Sequence, residues 1–278
     1  MDTMRIIITG ANGQLGAELK KVLEGHNIYA FSKEQLDITI PTNVREKIEE
    51  FEPDVVIHCA AYTNVDGCES NADLAYRVNA AGAGNVAAEC LKTGAAMVYV
   101  STDYVFDGQK GQPYYEFDQP DPKNTYGKTK LAGEEIVKNT LRKHYIVRTA
   151  WLYGREGKNF VKTMLQLAET QKTVNVVNDQ FGSPTNAYDL ARAIKLLIES
   201  EKYGIYHVTN SGSCSWYDFA KKIFEVKGLD VKVNPLITEQ INRPAQRPEY
   251  SVLKNFNLEV NFKYKMRPWE EALIEYLT

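Results

Sequence analysis

A short β-branched run, Arg5-Ile6-Ile7-Ile8-Thr9, passes directly into Gly10-Ala11-Asn12-Gly13-Gln14-Leu15-Gly16. A helix follows at once, its apolar residues Leu15, Leu19, Val22 and Leu23 falling three and four apart. Such a strand, apolar without alternation, is covered on both faces, and the helix that follows supplies one of the covers. The unit then recurs. Residues 27–31, 55–60, 97–101 and 145–148 read as strands, and residues 44–51, 72–91 and 126–139 as the helices between them. Parallel strands joined by single helices connect as right-handed crossovers. The predicted fold is therefore α/β, a Rossmann-like doubly wound parallel sheet. After Trp151 the rhythm loosens into helices at 160–170, 188–199, 216–226 and 268–276, with strands at 174–177 and 204–208.

Glycines 10, 13 and 16 span the first strand-to-helix turn. They permit a tight turn, close approach of backbone to a pyrophosphate, and close helix–strand packing, while the helix N-terminus offers unpaired N–H groups. With βαβ units behind it, the turn points to NADPH or NADH, with Gly10, Asn12, Gly13, Gln14, Leu15 and Gly16 as cofactor-binding residues. The second strand ends Phe31-Ser32-Lys33 without the carboxylate that would grip an unphosphorylated ribose. Ser32 and Lys33 either meet a 2′-phosphate or belong to a solvated loop. Asp37, followed by Ile38, either faces the adenine or caps the turn before Pro41. Ala60-Ala61-Tyr62, after the third strand, has small residues where backbone can pass beneath the cofactor. Residues 1–150 are assigned to this NAD(P)-binding domain, with 172–200 expected to return to it. Residues 151–278 are assigned mainly to a smaller C-terminal substrate-binding lobe over the sheet's carboxyl edge, where open α/β sheets bind ligands.

Tyr126 and Lys130 lie four apart on a predicted helix and so share a face. A neighbouring ammonium favours the phenolate and would bring the phenol towards usable acid strength. Thr102, at the end of the fourth strand, adds a hydroxyl. Phenol, ammonium and hydroxyl together suit carbonyl reduction: Tyr126 donates the proton, Thr102 hydrogen-bonds the developing oxyanion, and Lys130 holds the ribose of the hydride donor.

Composition removes other classes. A formal net charge of −3 gives no basic field for nucleic acid or an anionic membrane surface. No apolar run approaches the roughly 20 residues of a membrane helix. Cys59, Cys68, Cys90 and Cys214 lack metal-ligand spacing and read as free thiols of a cytoplasmic protein. The N-terminus enters a strand at once, which leaves no room for a signal peptide.

The chain resembles the extended short-chain dehydrogenase/reductases. The likeness rests on the glycine turn, on Ala60-Ala61-Tyr62-Thr63, and on Ser101-Thr102-Asp103-Tyr104-Val105-Phe106-Asp107-Gly108. It extends through Tyr126-Gly127-Lys128-Thr129-Lys130-Leu131-Ala132-Gly133-Glu134, Arg148-Thr149-Ala150-Trp151 and residues 178–185. Within that family it is nearest to members that reduce the 4-keto group of dTDP-4-dehydro-L-rhamnose. The resemblance implies that Thr102, Tyr126 and Lys130 are catalytic and that Trp151, Asp103 and Tyr104 line the sugar pocket. Arg247 is the implied phosphate ligand, although Tyr250 stands where the family signature has Asn. Some members bind Mg²⁺ with carboxylates at a dimer contact. Glu18 matches one such position, but the pattern near Tyr188-Asp189 is only partly kept, so no metal is assigned and a homodimer is left open. Sugar dehydratases of the family carry Asp-Glu after the threonine, whereas this chain has Asp103-Tyr104, which favours simple reduction. Epimerisation, reduction of another nucleotide-linked deoxysugar and a non-catalytic NAD(P)-binding subunit are the competing readings.

Overall fold

The computed structural model describes residues 3–278. Five strands appear as expected: β1 (Arg5–Thr9), β2 (Asn27–Phe31), β3 (Val55–His58), β4 (Ala96–Thr102) and β5 (His144–Thr149). With strand Gly204–His207 they make a six-stranded, wholly parallel sheet. Its order is 204–207, β5, β4, β3, β1, β2. The chain thus winds outward from β1 in both directions, and the carboxyl ends of β1 and β3 flank the switch point where such sheets open a crevice.

The β-branched run of β1 is explained by what covers it. Ile6 and Ile8 pack with Leu15, Leu19 and Leu23 around helix α1 (Gln14–Val22), and Ile7 packs with Val44 and Ile48 of helix α2 (Pro41–Phe51). All three isoleucines are fully buried, each contributing about 1.5–3 kcal/mol.

A short helix α3 (Val65–Ser70) comes first, and where one helix is expected over residues 72–91 the chain forms α4 (Ala72–Tyr76), a π-helical turn Arg77–Ala81, and α5 (Gly82–Thr93). The wide turn carries Asn79, whose side chain is used away from the helix. It accepts from Tyr62 N at 2.8 Å and donates to Tyr62 O at 3.1 Å and to Thr129 Oγ1 at 3.0 Å. Helix α6 (Thr125–Thr140) then crosses the same face of the sheet and leads into β5.

Beyond β5 come α7 (Phe160–Thr170), α8 (Ala187–Ile198), α9 (Trp216–Lys227), α10 (Phe256–Phe262) and α11 (Trp269–Leu277). Two strand assignments need correction. Thr173–Val177, expected to return to the main sheet, pairs with Lys232–Leu236 instead. Thr173 and Asn175 are exposed on one face, and a half-wet strand does not suit a doubly covered sheet. Gly204–His207, read with the smaller lobe, is the sixth strand of the main sheet, and α8 packs on the α1 face beside it. Separately, α7, α9 and α11 build a further core, away from the two sheet faces, with the 173–177 strand, centred on Phe219 and Trp269.

Candidate active site

The glycine turn is held by backbone contact. Gly10 has φ +66°, and a Cβ there would lie 2.8 Å from Ala60 N; at Gly16 it would lie 2.7 Å from Gly10 O. Helix α1 starts at Gly13 without a side-chain cap, so its first N–H groups remain available to an anion. The turn forms one wall of a cavity of about 830 Å³, of a size suited to a large cofactor. Gly10, Asn12, Gly13, Gln14, Leu15 and Gly16 all line it, as do Ser32, Asp37 and Ile38 after β2 and Ala60, Ala61 and Tyr62 after β3.

Two points at the adenosine end are sharpened. Asp37 lines the cavity and also holds its own turn: its Oδ1 accepts from Thr39 N at 2.9 Å and Thr39 Oγ1 at 2.7 Å, which hold its pKa down. The loop after β2 also has its carboxylate after all, one residue past Lys33. Glu34 lines the cavity and accepts from Ser32 Oγ at 2.6 Å, a bond that lowers its pKa. Lys33 lines the cavity beside it and has no ion-pair partner among the described residues.

Thr102, Tyr126 and Lys130 line the same cavity, together with Asp103 and Trp151. Tight helix packing brings them there. A Cβ on Gly127 would sit 2.1 Å from Tyr104 O, and one on Gly133 would sit 2.2 Å from Tyr99 Oη. Asn124 caps α6 by accepting from Gly127 N at 2.8 Å. The 2% exposed Lys130 has Nζ 4.0 Å from the centroid of the Tyr99 ring, a cation–π contact. Burial pulls its pKa to about 7, opposed by the Glu134 carboxylate.

The expected softening of the phenol by Lys130 is not what the structure gives. Burial first, and the Asp103 charge second, raise the Tyr126 pKa, with the Thr102 hydroxyl opposing them. The desolvated phenol stays protonated, as a donor must before the reaction begins. Thr102 Oγ1 donates to Asp103 Oδ1 at 2.9 Å, so its single proton is aimed at the carboxylate in this structure. Asp103 is 3% exposed, and burial raises its pKa to about 6; its Oδ2 lacks a hydrogen-bond partner.

Behind the cavity lies a buried polar chain to which sequence reading attached no role. Glu134, one turn beyond Lys130, takes a forked contact from Arg148: Nη2 to Oε2 at 2.7 Å and Nε to Oε1 at 3.0 Å. Ser101 Oγ, on the strand residue paired with Arg148, donates to the same carboxylate. Arg148 Nη1 lies 3.4 Å from His207 Nε2, while His207 Nδ1 meets Tyr114 O at 3.0 Å. That pair of partners fixes the neutral tautomer with its proton on Nδ1. The only advance signal was a charged residue at the end of an otherwise apolar strand.

Other predicted residues sit differently. Tyr104 packs edge-on against Tyr126, centroids 5.8 Å apart, outside the cavity lining. Arg247 is also outside it, paired with Asp66 through both Nη atoms. Trp151 adopts φ +46° and stacks on Trp216 at 3.5 Å; a Cβ on Gly182 would press 2.4 Å from its indole. Glu18 is held by Lys21, and Asp189 by Arg267, which also pairs with Glu275. No group of three or more His, Cys, Asp or Glu side chains suited to a metal occurs among the described residues.

Fold and site together define an extended short-chain dehydrogenase/reductase, with a dinucleotide crevice and a Thr–Tyr–Lys set at the sheet's carboxyl edge. Residues 4–278 match the model of the RmlD substrate binding domain family, and the chain belongs to that family. It is 46% identical over 275 residues to the spore coat polysaccharide biosynthesis protein SpsK of Bacillus subtilis, covering 98% of this chain and 96% of that one. It is 42% identical to dTDP-4-dehydrorhamnose reductase of Mycobacterium tuberculosis, covering 97% and 91%. Among solved structures, dTDP-4-dehydrorhamnose reductase from Bacillus anthracis in complex with NADP superposes with a TM-score of 0.97 at 49% identity, covering 99% of each chain.

Proposed function

We propose that the protein reduces the 4-keto group of dTDP-4-dehydro-L-rhamnose to give dTDP-L-rhamnose, using NADPH or NADH. The observation that carries the reading is one cavity lined at one end by the glycine turn and at the other by Thr102, Tyr126 and Lys130. Relatives named for this reaction, matched over nearly their whole length, supply the substrate. When bound, the reduced nicotinamide supplies the hydride that adds to the carbonyl carbon. Tyr126 delivers the proton to the carbonyl oxygen, completing a two-electron reduction of ketone to alcohol. The Thr102 hydroxyl, turned from Asp103, supports that oxygen as charge develops. Lys130 binds the ribose hydroxyls on the nicotinamide side. Four free cysteines, three of them buried, support a reducing cytoplasm as the working compartment. A homodimer is the assembly we expect, to be checked by light scattering.

The test is loss of reduced-cofactor absorbance when purified protein meets the keto-sugar nucleotide. Tyr126→Phe should bind cofactor as the parent does while turnover falls about 10²–10⁴-fold, because only the proton donor is removed. Tight cofactor binding without turnover of any keto-sugar nucleotide would instead identify a binding subunit.

A further inference from the structure

The segment between strand Leu152–Tyr153 and α7 bends back to the glycine turn and has a fixed course. Asn159 pins it: Nδ2 donates to Gln14 Oε1 at 3.0 Å and to Gly154 O at 2.9 Å, while Oδ1 caps α7 by accepting from Lys162 N at 3.0 Å. Lys162 Nζ returns from the first turn of α7 to donate to the carbonyls of Arg155 and Gly157, the latter at 3.1 Å. Gly157 takes φ +69°, and a Cβ there would meet Gln14 Cγ at 3.4 Å. This pinned loop makes Gly157 and Lys158 part of the cavity wall beside Gln14.

Lys158 is exposed and forms no ion pair among the described residues. The cavity's other two lysines have their own places: Lys33 on the loop after β2 and Lys130 beside Tyr126. The α1 N-terminus already favours an anion at Gln14, and an ammonium carried on a backbone already fixed beside it adds to that preference, with only side-chain order left to lose. We propose that Lys158 is a cofactor-binding residue whose ammonium, carried on a loop anchored to Gln14, neutralises the dinucleotide's pyrophosphate. The inference rests on the dinucleotide reading of the cavity and adds to it a contact from outside the Rossmann βα units.

The test is fluorescence titration of the full chain and of Lys158→Ala and Lys158→Glu with NADPH, NADH and 2′-AMP, which has no 5′-phosphate. For a solvent-exposed charge, Lys158→Ala should weaken both nicotinamide cofactors alike, by about three- to fivefold, and Lys158→Glu more. Binding of 2′-AMP should be unchanged, and the salt dependence of the NADPH Kd should become shallower. Parent-like NADPH affinity in Lys158→Glu would overturn the assignment. So would an equal loss for 2′-AMP, which would mark a diffuse field instead of a pyrophosphate contact. Failure of the parent chain to bind either cofactor would overturn the dinucleotide reading itself.

Discussion

Replacing Glu134 with Gln keeps the shape of the side chain and removes its charge from a buried place. The Glu134 and Arg148 side chains are 2% and 3% exposed. Without the carboxylate, Arg148 keeps the 3.4 Å approach to His207, its position 5.1 Å over the Phe106 ring and the field of the buried Glu116 carboxylate, none of which replaces the forked contact. Breaking a buried pair from one side costs about 3–5 kcal/mol. At roughly 2–4 °C per kcal/mol for a chain of this size, the melting temperature should drop by about 6–20 °C. Arg148→Met in the same background removes the stranded guanidinium, and the double variant should recover most of the loss. Lys130 loses the carboxylate that opposes its desolvation, so the single and double variants should both reach their best activity at lower pH than the parent. Urea unfolding followed by tryptophan emission, with a pH–rate profile on each chain, reads both effects. A loss below about 1 kcal/mol in Glu134→Gln, or a double variant no more stable than the single, would refute this account of the buried pair.

Gly127→Ala should destabilise by about 1–3 kcal/mol and depress turnover, because its Cβ meets a backbone carbonyl and pushes Tyr126 off position. Gly25→Ala, with nothing within 4 Å, is the control; equal behaviour of the two in thermal melts and kinetics would remove the close-packing explanation. Lys33→Ala should raise the Kd for NADPH more than that for NADH, and equal effects would separate Lys33 from the 2′-phosphate. Lys130 has a folded-state pKa near 7 against 10.5 in an unfolded chain, so between those values the unfolded state binds the extra proton. Stability from this group therefore rises with pH across that window, by up to about 1.4 kcal/mol per unit, and is lost again as pH falls back to about 7. Lys130→Met should flatten that slope in urea melts from pH 7 to 10; an unchanged slope would mean that the ammonium is better solvated than its burial suggests.

The βαβ core was legible because burial on both faces of a strand leaves an uninterrupted apolar run, and Ile6, Ile7 and Ile8 serve two different cores. Tyr126 and Lys130 were legible for a similar reason: helical geometry turns a spacing of four into a shared face. What stayed hidden depends on contacts between elements. Nothing local announces that Glu134 will meet Arg148 from another element, or that burial and the Asp103 charge will set the pKa of the phenol. The π turn at Asn79 keeps helical composition throughout, so its extra residue leaves no mark in the apolar spacing. Glu34 and Lys158 read as ordinary solvated charges until the fold brings their loops to the cavity. Gly204–His207 was misassigned because the smaller lobe intervenes between it and β5, breaking the rhythm that identified the earlier strands.

That same excursion has a practical consequence for anyone re-engineering the molecule. The chain leaves the sheet after Thr149, comes back with α8 and Gly204–His207, departs again, and returns once more where Leu258 of α10 joins the sheet's core. No single cut separates the halves. A fragment ending near residue 150 would expose the β5 edge and bare the α1 face that Leu190, Ile194 and Leu197 cover. Chimeras that swap whole C-terminal halves to change sugar preference should therefore yield insoluble protein, whereas transplants confined to a single loop leave the woven frame whole.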